Sequence, residues 1–139
     1  MNTFNLSVVS PEKKILEGEF NFLIVTTNAG EITVLPNHAP LFATLKPGQA
    51  IAQNSTGATH LAITGGFISV HQNKVQLLVD FAIKSEEIDK NIVEQAKRRA
   101  EETIANGDKL DPASIDARAE LVKAIIQLQV AEKRTRHHG

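Results

Sequence analysis

The sequence predicts an α+β protein in two parts: a flattened N-terminal β-sandwich of about 8–10 strands, then a C-terminal antiparallel two-helix hairpin. Three observations predict it. Charge density changes abruptly near Lys84-Ser85: residues 1–85 hold five lysines and five acids, whereas residues 86–139 hold ten Lys plus Arg and eleven acids. Four of the five prolines precede residue 48, and only Pro112 lies beyond. Apolar residues fall in short runs before the boundary and recur at helical spacing after it. The chain therefore divides into a β module, 1–85, and a helical module, 86–139.

The strands are read in order. Phe4, Leu6 and Val8 alternate with Asn5, Ser7 and Val9 until Ser10-Pro11 stops the run. Further runs cover 19–27, 31–35, 41–45, 49–53, 58–64, 67–70 and 75–83. Between them stand Asn28-Ala29-Gly30, Pro36-Asn37-His38-Ala39-Pro40, Lys46-Pro47-Gly48, Asn54-Ser55-Thr56-Gly57, Gly65-Gly66 and His71-Gln72-Asn73. Turn chemistry at such short intervals is the mark of a sandwich or flattened barrel.

In the second half Ile92, Val93, Ala96, Ala100 and Ile104 form one helical stripe, ended by Asn106-Gly107-Asp108. Asp111-Pro112 begins a second helix, Asp as N-cap and Pro at the first helical position, which can run to about Arg134. That helix carries two apolar lines. Ile115, Ala119, Val122, Ile126 and Val130 make one; Leu121, Ile125 and Leu128, with Ala117, Ala124 and Ala131, make the other. A helix serving only its hairpin mate needs one line, so the second predicts either cover by the β module or an exchange of partners.

Composition narrows the function. The 139 residues carry 15 basic and 16 acidic side chains, a net charge of -1, which speaks against a nucleic-acid binder. No apolar run approaches the roughly 18 residues that span a bilayer, and Met1-Asn2-Thr3-Phe4-Asn5 does not read as a secretion signal. There is no cysteine, hence no disulfide and no thiolate nucleophile or ligand. The sequence also lacks a P-loop, a Gly-x-Ser-x-Gly elbow and a His-Glu-x-x-His helix. His60 and His71 read as ordinary strand or surface histidines, and His137-His138 as a terminal tail. Asp80 is the lone acid between Glu31 and Glu86, so no paired-carboxylate site is expected in the β module. No catalytic residues, metal site or cofactor are expected. The stretch from Asn28 to Leu41 reads either as two turns shaped by Gly and Pro or as a docking edge on a rigid scaffold.

Several motifs then carry a resemblance. Gly30-Glu31-Ile32, Val34-Leu35-Pro36-Asn37-His38-Ala39-Pro40-Leu41, Lys46-Pro47-Gly48, Gly65-Gly66-Phe67, Val79-Asp80, Glu87-Ile88-Asp89 and Arg118-Ala119-Glu120-Leu121 follow one another along the chain. In this order the sequence resembles the epsilon-subunit family of the F-type ATP synthase over its whole length. The resemblance implies a non-catalytic rotor part of the central stalk. Its sandwich would grip the gamma subunit and rest on the c-ring, coupling proton-driven rotation to the catalytic head. Its helices could extend into the alpha/beta head and restrain ATP hydrolysis. It implies Glu31 and His38 at the sandwich end facing the ring, and Lys123, Lys133, Arg134 and Arg136 as basic partners of an acidic segment in the head. Of the family's nucleotide motif only Ile88, Asp89 and Arg99 remain. Ile92-Val93, Ile125 and Gln129 stand where arginines or alanine would be, so ATP binding is expected to be weak or absent. The implied location is the cytoplasmic face of a bacterial plasma membrane without insertion into it, with the plastid stroma, thylakoid-bound, as the alternative. A purely structural rotor part and a stand-alone ATP sensor are the competing readings.

Overall fold

The computed structural model describes residues 2–138, with side chains described as far as Glu132. Its chain forms two compact units, Met1–Lys84 and Ser85–Gly139.

The first unit is a ten-stranded sheet: β1 Phe4–Val9, β2 Lys14–Phe20, β3 Phe22–Thr27, β4 Gly30–Val34, β5 Leu41–Leu45, β6 Gly48–Asn54, β7 Gly57–Ile63, β8 Gly66–His71, β9 Lys74–Val79 and β10 Ala82–Lys84. Hydrogen bonding runs β10-β7-β6-β3-β5-β8-β9-β1-β2, with β4 on β3. All pairs are antiparallel except β1 with β9. β3 and β5 share one residue pair, Thr27 with Leu45. At that narrow joint the sheet divides into two layers, β2-β1-β9-β8-β5 and β4-β3-β6-β7-β10. The alternation in each strand sends one face inward. Leu6 and Val8 of β1, Ile68 and Val70 of β8, and Val75 and Leu77 of β9 meet Leu23 and Val25 of β3 and Leu61 of β7 in one buried cluster.

Two strand boundaries differ from the sequence reading. The run at 19–27 is broken at Asn21, and Lys14–Phe20 is a strand of its own. β2 lies at the end of the path and pairs only with β1, so its exposed Glu17 and Glu19 and its Gly18 dilute the apolar signal. The run at 75–83 is likewise two strands. The chain turns at Asp80-Phe81, where Asp80 N–H donates to Gly65 O (3.0 Å) and Thr64 N–H to Phe81 O (3.2 Å). Gly66 sits at φ +143, and a methyl there would run into the Leu78 carbonyl and the Val79 backbone, so only glycine fits.

The second unit opens with a 3₁₀ turn, Ser85–Glu87, and continues with α1 Lys90–Asn106 and α2 Pro112–His138. Asp89 caps α1, its Oδ1 accepting from Asn91 N (3.0 Å) and Ile92 N (3.3 Å). Asp111 caps α2 in the same way, accepting from Ala113 N (3.1 Å). On α1, Val93 and Ala100 are buried, but Ile92, expected in the same stripe, is 61% exposed. On α2, Ser114, Ala117, Ala124, Ile126, Gln127, Val130 and Ala131 are buried, while Ile115, Val122 and Ile125 stay on the surface. Each of the two expected apolar lines thus leaves part of itself uncovered.

Candidate partner interface

β9 should present polar residues outward, and Lys74 and Gln76 do so, but the third outward position is Leu78, 49% exposed. Register places Leu78 beside Phe67 of β8, which lies opposite Thr44 of β5. Phe42, opposite Ser69, is one diagonal step away. The Phe42 and Phe67 rings stack at 5.6 Å between centroids and 20° between planes. Phe42 remains 70% exposed and Phe67 46%. Val9, half-buried, extends the patch as the parallel partner of Leu78. Thr44, Ser69, Gln76 and Ser7 lie around it, polar and uncharged, and Lys14 of β2 flanks Val9. Isolated apolar residues on a surface are ordinary; a contiguous aromatic patch with a polar rim marks a protein-binding surface.

The two rim residues expected to share one end of the sandwich do not. Glu31 lies beside the Asn28–Gly30 turn, opposite Thr26. Thr27 clamps that turn: its hydroxyl donates to Gly30 O (2.9 Å) and accepts from Ala29 N (3.2 Å). Asn28 N–H bonds Thr44 O, so the turn lies at the end of β5 where Leu45 meets Gly66. His38 lies beyond the far end of β4, in the loop entering β5, where Leu41 meets Val70. The five residues of β4 separate the two ends, roughly 13 Å at 3.4 Å per residue. Reading 31–35 as a strand already implied this separation. At the His38 end, His38 N–H bonds Leu35 O (3.1 Å), and the ring Nδ1 meets Ala39 O (2.7 Å). That loop leads through Leu41 into Phe42, four residues on from His38.

His60 is half-buried on β7, its Nδ1 accepting from Gln49 Nε2 at 2.6 Å, a pairing internal to the sheet. Among the described residues no group of three His, Cys, Asp or Glu could hold a metal ion.

In the helical unit Ile88, Asp89 and Arg99 do not form one site. Ile88 is buried and Asp89 is engaged as the α1 cap. Arg99 lines a groove with Ala96, Ala100, Asp116, Ala117 and Glu120, nearly three turns along the helix. A second groove of about 340 Å³ contains Ile125 and Gln129, where phosphate-binding arginines were expected in nucleotide-binding relatives. Among the described residues its charged walls are Lys90, Lys97, Glu94 and Glu132, whose formal charges cancel. Lys123 is half-buried on α2, and its carbonyl accepts from Gln127 Nε2 (3.3 Å). The side chains of Lys133, Arg134 and Arg136 lie outside the described residues.

The sequence reading missed the patch of Phe42, Phe67 and Leu78. Each sits in a strand of ordinary appearance, and adjacency arises only from register. The available signal was an apolar residue at an outward position in three neighbouring strands.

Comparison with known proteins follows the same division. Residues 3–85 match the family model of the ATP synthase delta/epsilon chain β-sandwich domain. Residues 86–132 match the delta/epsilon chain long α-helix domain. The chain is 37% identical to the ATP synthase epsilon chain of Xanthomonas euvesicatoria over 139 residues, 99% of this chain and 98% of the relative. It is 38% identical to that of Xylella fastidiosa over 135 residues, 96% and 95% of the two chains. A chain in the structure of the Euglena gracilis mitochondrial ATP synthase OSCP/F1/c-ring assembly shares the fold, with TM-score 0.67 and 22% identity over all of this chain and 83% of that one. A chain of the Tetrahymena thermophila mitochondrial ATP synthase central stalk and c-ring shares it at TM-score 0.57 and 15% identity, over 91% of this chain and 95% of that one. Two family models covering both units, with near-full-length relatives above 30% identity, place the chain in the ATP synthase delta/epsilon-chain family.

Proposed function

We propose that the protein is a non-catalytic rotor subunit of a proton-translocating F-type ATP synthase, seated in the central stalk. The exposed, stacked Phe42–Phe67 pair beside Leu78 carries the reading, because a contiguous apolar patch on a sheet face is a protein-docking surface of the kind a rotor part needs. The gamma subunit docks on this face, with the His38 loop at its margin. The opposite rim, with Glu31, rests on the c-ring. The helices reach toward the alpha/beta head and restrain ATP hydrolysis, with Lys123, Lys133, Arg134 and Arg136 answering acidic side chains there. Family membership and the bacterial sources of the 37–38% identical relatives support a place at the cytoplasmic face of a plasma membrane. No described helix is long and apolar enough to cross a membrane, consistent with attachment through partners.

The test is reconstitution with gamma and the catalytic head. The double variant Phe42→Asp/Phe67→Asp should lower gamma affinity by two or more orders of magnitude, since a desolvated carboxylate replaces each anchor. Unchanged affinity would remove the docking face. Deleting residues 113–139 should raise ATP hydrolysis and leave assembly intact. Unchanged hydrolysis would leave a structural rotor part without restraint.

A further inference from the structure

The β8–β9 turn is made by Gln72 and Asn73, at φ 51 and φ 62. Two left-handed residues in a two-residue hairpin define a type I′ turn, and Asn, Asp or Gly serves that backbone equally well. What distinguishes Asn73 is the use of its carboxamide. Oδ1 accepts from Asn37 N–H at 2.8 Å, and Nδ2 donates to Thr3 O at 2.8 Å. Its backbone carbonyl accepts from Asn5 N–H at 3.2 Å. One residue therefore ties together the start of β1, the β8–β9 turn and the loop before β5, segments 36 and 70 residues away in the chain.

The tie to Asn37 reaches further. Asn37 is itself left-handed, at φ 63, and it precedes His38. The Leu35–His38 turn is closed by His38 N–H on Leu35 O. A carbonyl can only accept, so the 2.7 Å contact between His38 Nδ1 and Ala39 O requires the proton on Nδ1. The contact orients the imidazole, with Nε2 on the side away from Ala39 O. Freed from Asn73, the loop would keep its prolines but lose a side-chain bond that fastens it to the sheet.

We propose that Asn73 is a positioning residue: it fixes the Pro36–Pro40 loop, and through it the His38 ring, in the geometry presented at the margin of the docking face. The functional part of this inference rests on the proposed gamma-docking reading; the positioning itself does not.

Two variants of the full chain separate the roles of turn and tether. Asn73→Gly keeps the positive φ and removes both side-chain bonds. Asn73→Asp keeps the turn and the acceptor for Asn37 while losing the donor to Thr3. In Asn73→Gly the Asn37 amide should exchange at least about tenfold faster, and the His38 ring ¹⁵N shifts should move from the Nδ1–H pattern to that of a free imidazole. In Asn73→Asp both should stay close to the parent at pH 7. Gamma affinity should fall about tenfold in Asn73→Gly, mainly through faster dissociation, and much less in Asn73→Asp. Parent-like Asn37 exchange and His38 shifts in Asn73→Gly would overturn the proposal and reduce Asn73 to a turn residue. A released loop with unchanged gamma affinity would uphold the positioning and remove the loop from the docking surface.

Discussion

In the sandwich, Leu6, Leu23, Leu61, Ile68 and Leu77 are sealed between two sheet layers, whereas the helical unit buries Ala100, Ala117, Ala124 and Ala131 alongside a few larger residues. Fully burying a large aliphatic side chain is worth about 1.5–3 kcal/mol, while an alanine contributes little more than one methyl, about 0.8 kcal/mol. The difference is also one of shape. Alanines let the helices approach closely, and at Gly107, just beyond α1, even an added methyl would collide with the Ser114 hydroxyl. The hairpin accordingly has a narrow seam and leaves Ile92, Ile115, Val122 and Ile125 in solvent. The sandwich is thus held by many large buried side chains and the hairpin by few, so local opening should cost less in the hairpin.

The largest expected effect tests the sandwich. Leu77→Ala should destabilise the sandwich by about 2–5 kcal/mol in urea denaturation followed by amide exchange of β8 and β9. A loss below 1 kcal/mol would mean that the core tolerates cavities and is no more rigid than the hairpin. Gly107→Ala should strike the other unit, at about 1–3 kcal/mol, through overpacking against Ser114. Its signature is faster exchange along α1 and α2 with the sandwich amides unaffected; slowed protection spread over both units would contradict separate cores. Asp89→Ala should cost about 1 kcal/mol through loss of the α1 cap, read as deprotection of the Asn91 and Ile92 amides. The smallest change should have the opposite sign. The Ser114 hydroxyl is buried without a hydrogen-bond partner among the described residues, so Ser114→Ala should be neutral or stabilising by up to about 1 kcal/mol. A clear destabilisation would show that this hydroxyl is satisfied in solution.

The partition into strands and helices was legible because each period writes itself into consecutive residues. Phe4, Leu6 and Val8 announce a strand with one buried face, and Val93, Ala96, Ala100 and Ile104 announce a helix. The edge strand β2 was not legible, since Ile15 and Leu16 are adjacent and Gly18 follows, an arrangement with no clean alternation. The pairing of Glu31 with His38 as neighbours failed for a related reason. The resemblance grouped two positions seven residues apart, although the intervening strand β4 carries the chain away from its starting end. The ATP-motif remnants show the converse case: Asp89 keeps its identity, but its carboxylate is engaged as a helix cap.

By itself the sequence determined the α+β class, the order of the two parts, the cap at Asp111 and the family. These depend on local periodicity, turn chemistry and short motifs, all of which act between residues close in the chain. Only the tertiary structure decided that Phe42 stacks on Phe67 beside Leu78, that Glu31 and His38 occupy opposite ends, and that Asn73 fastens Asn37 to Thr3. Those relations are set by strand register and by which layer each strand joins. Register is fixed when many weak side-chain contacts across the whole sheet are satisfied together, so no single segment encodes it.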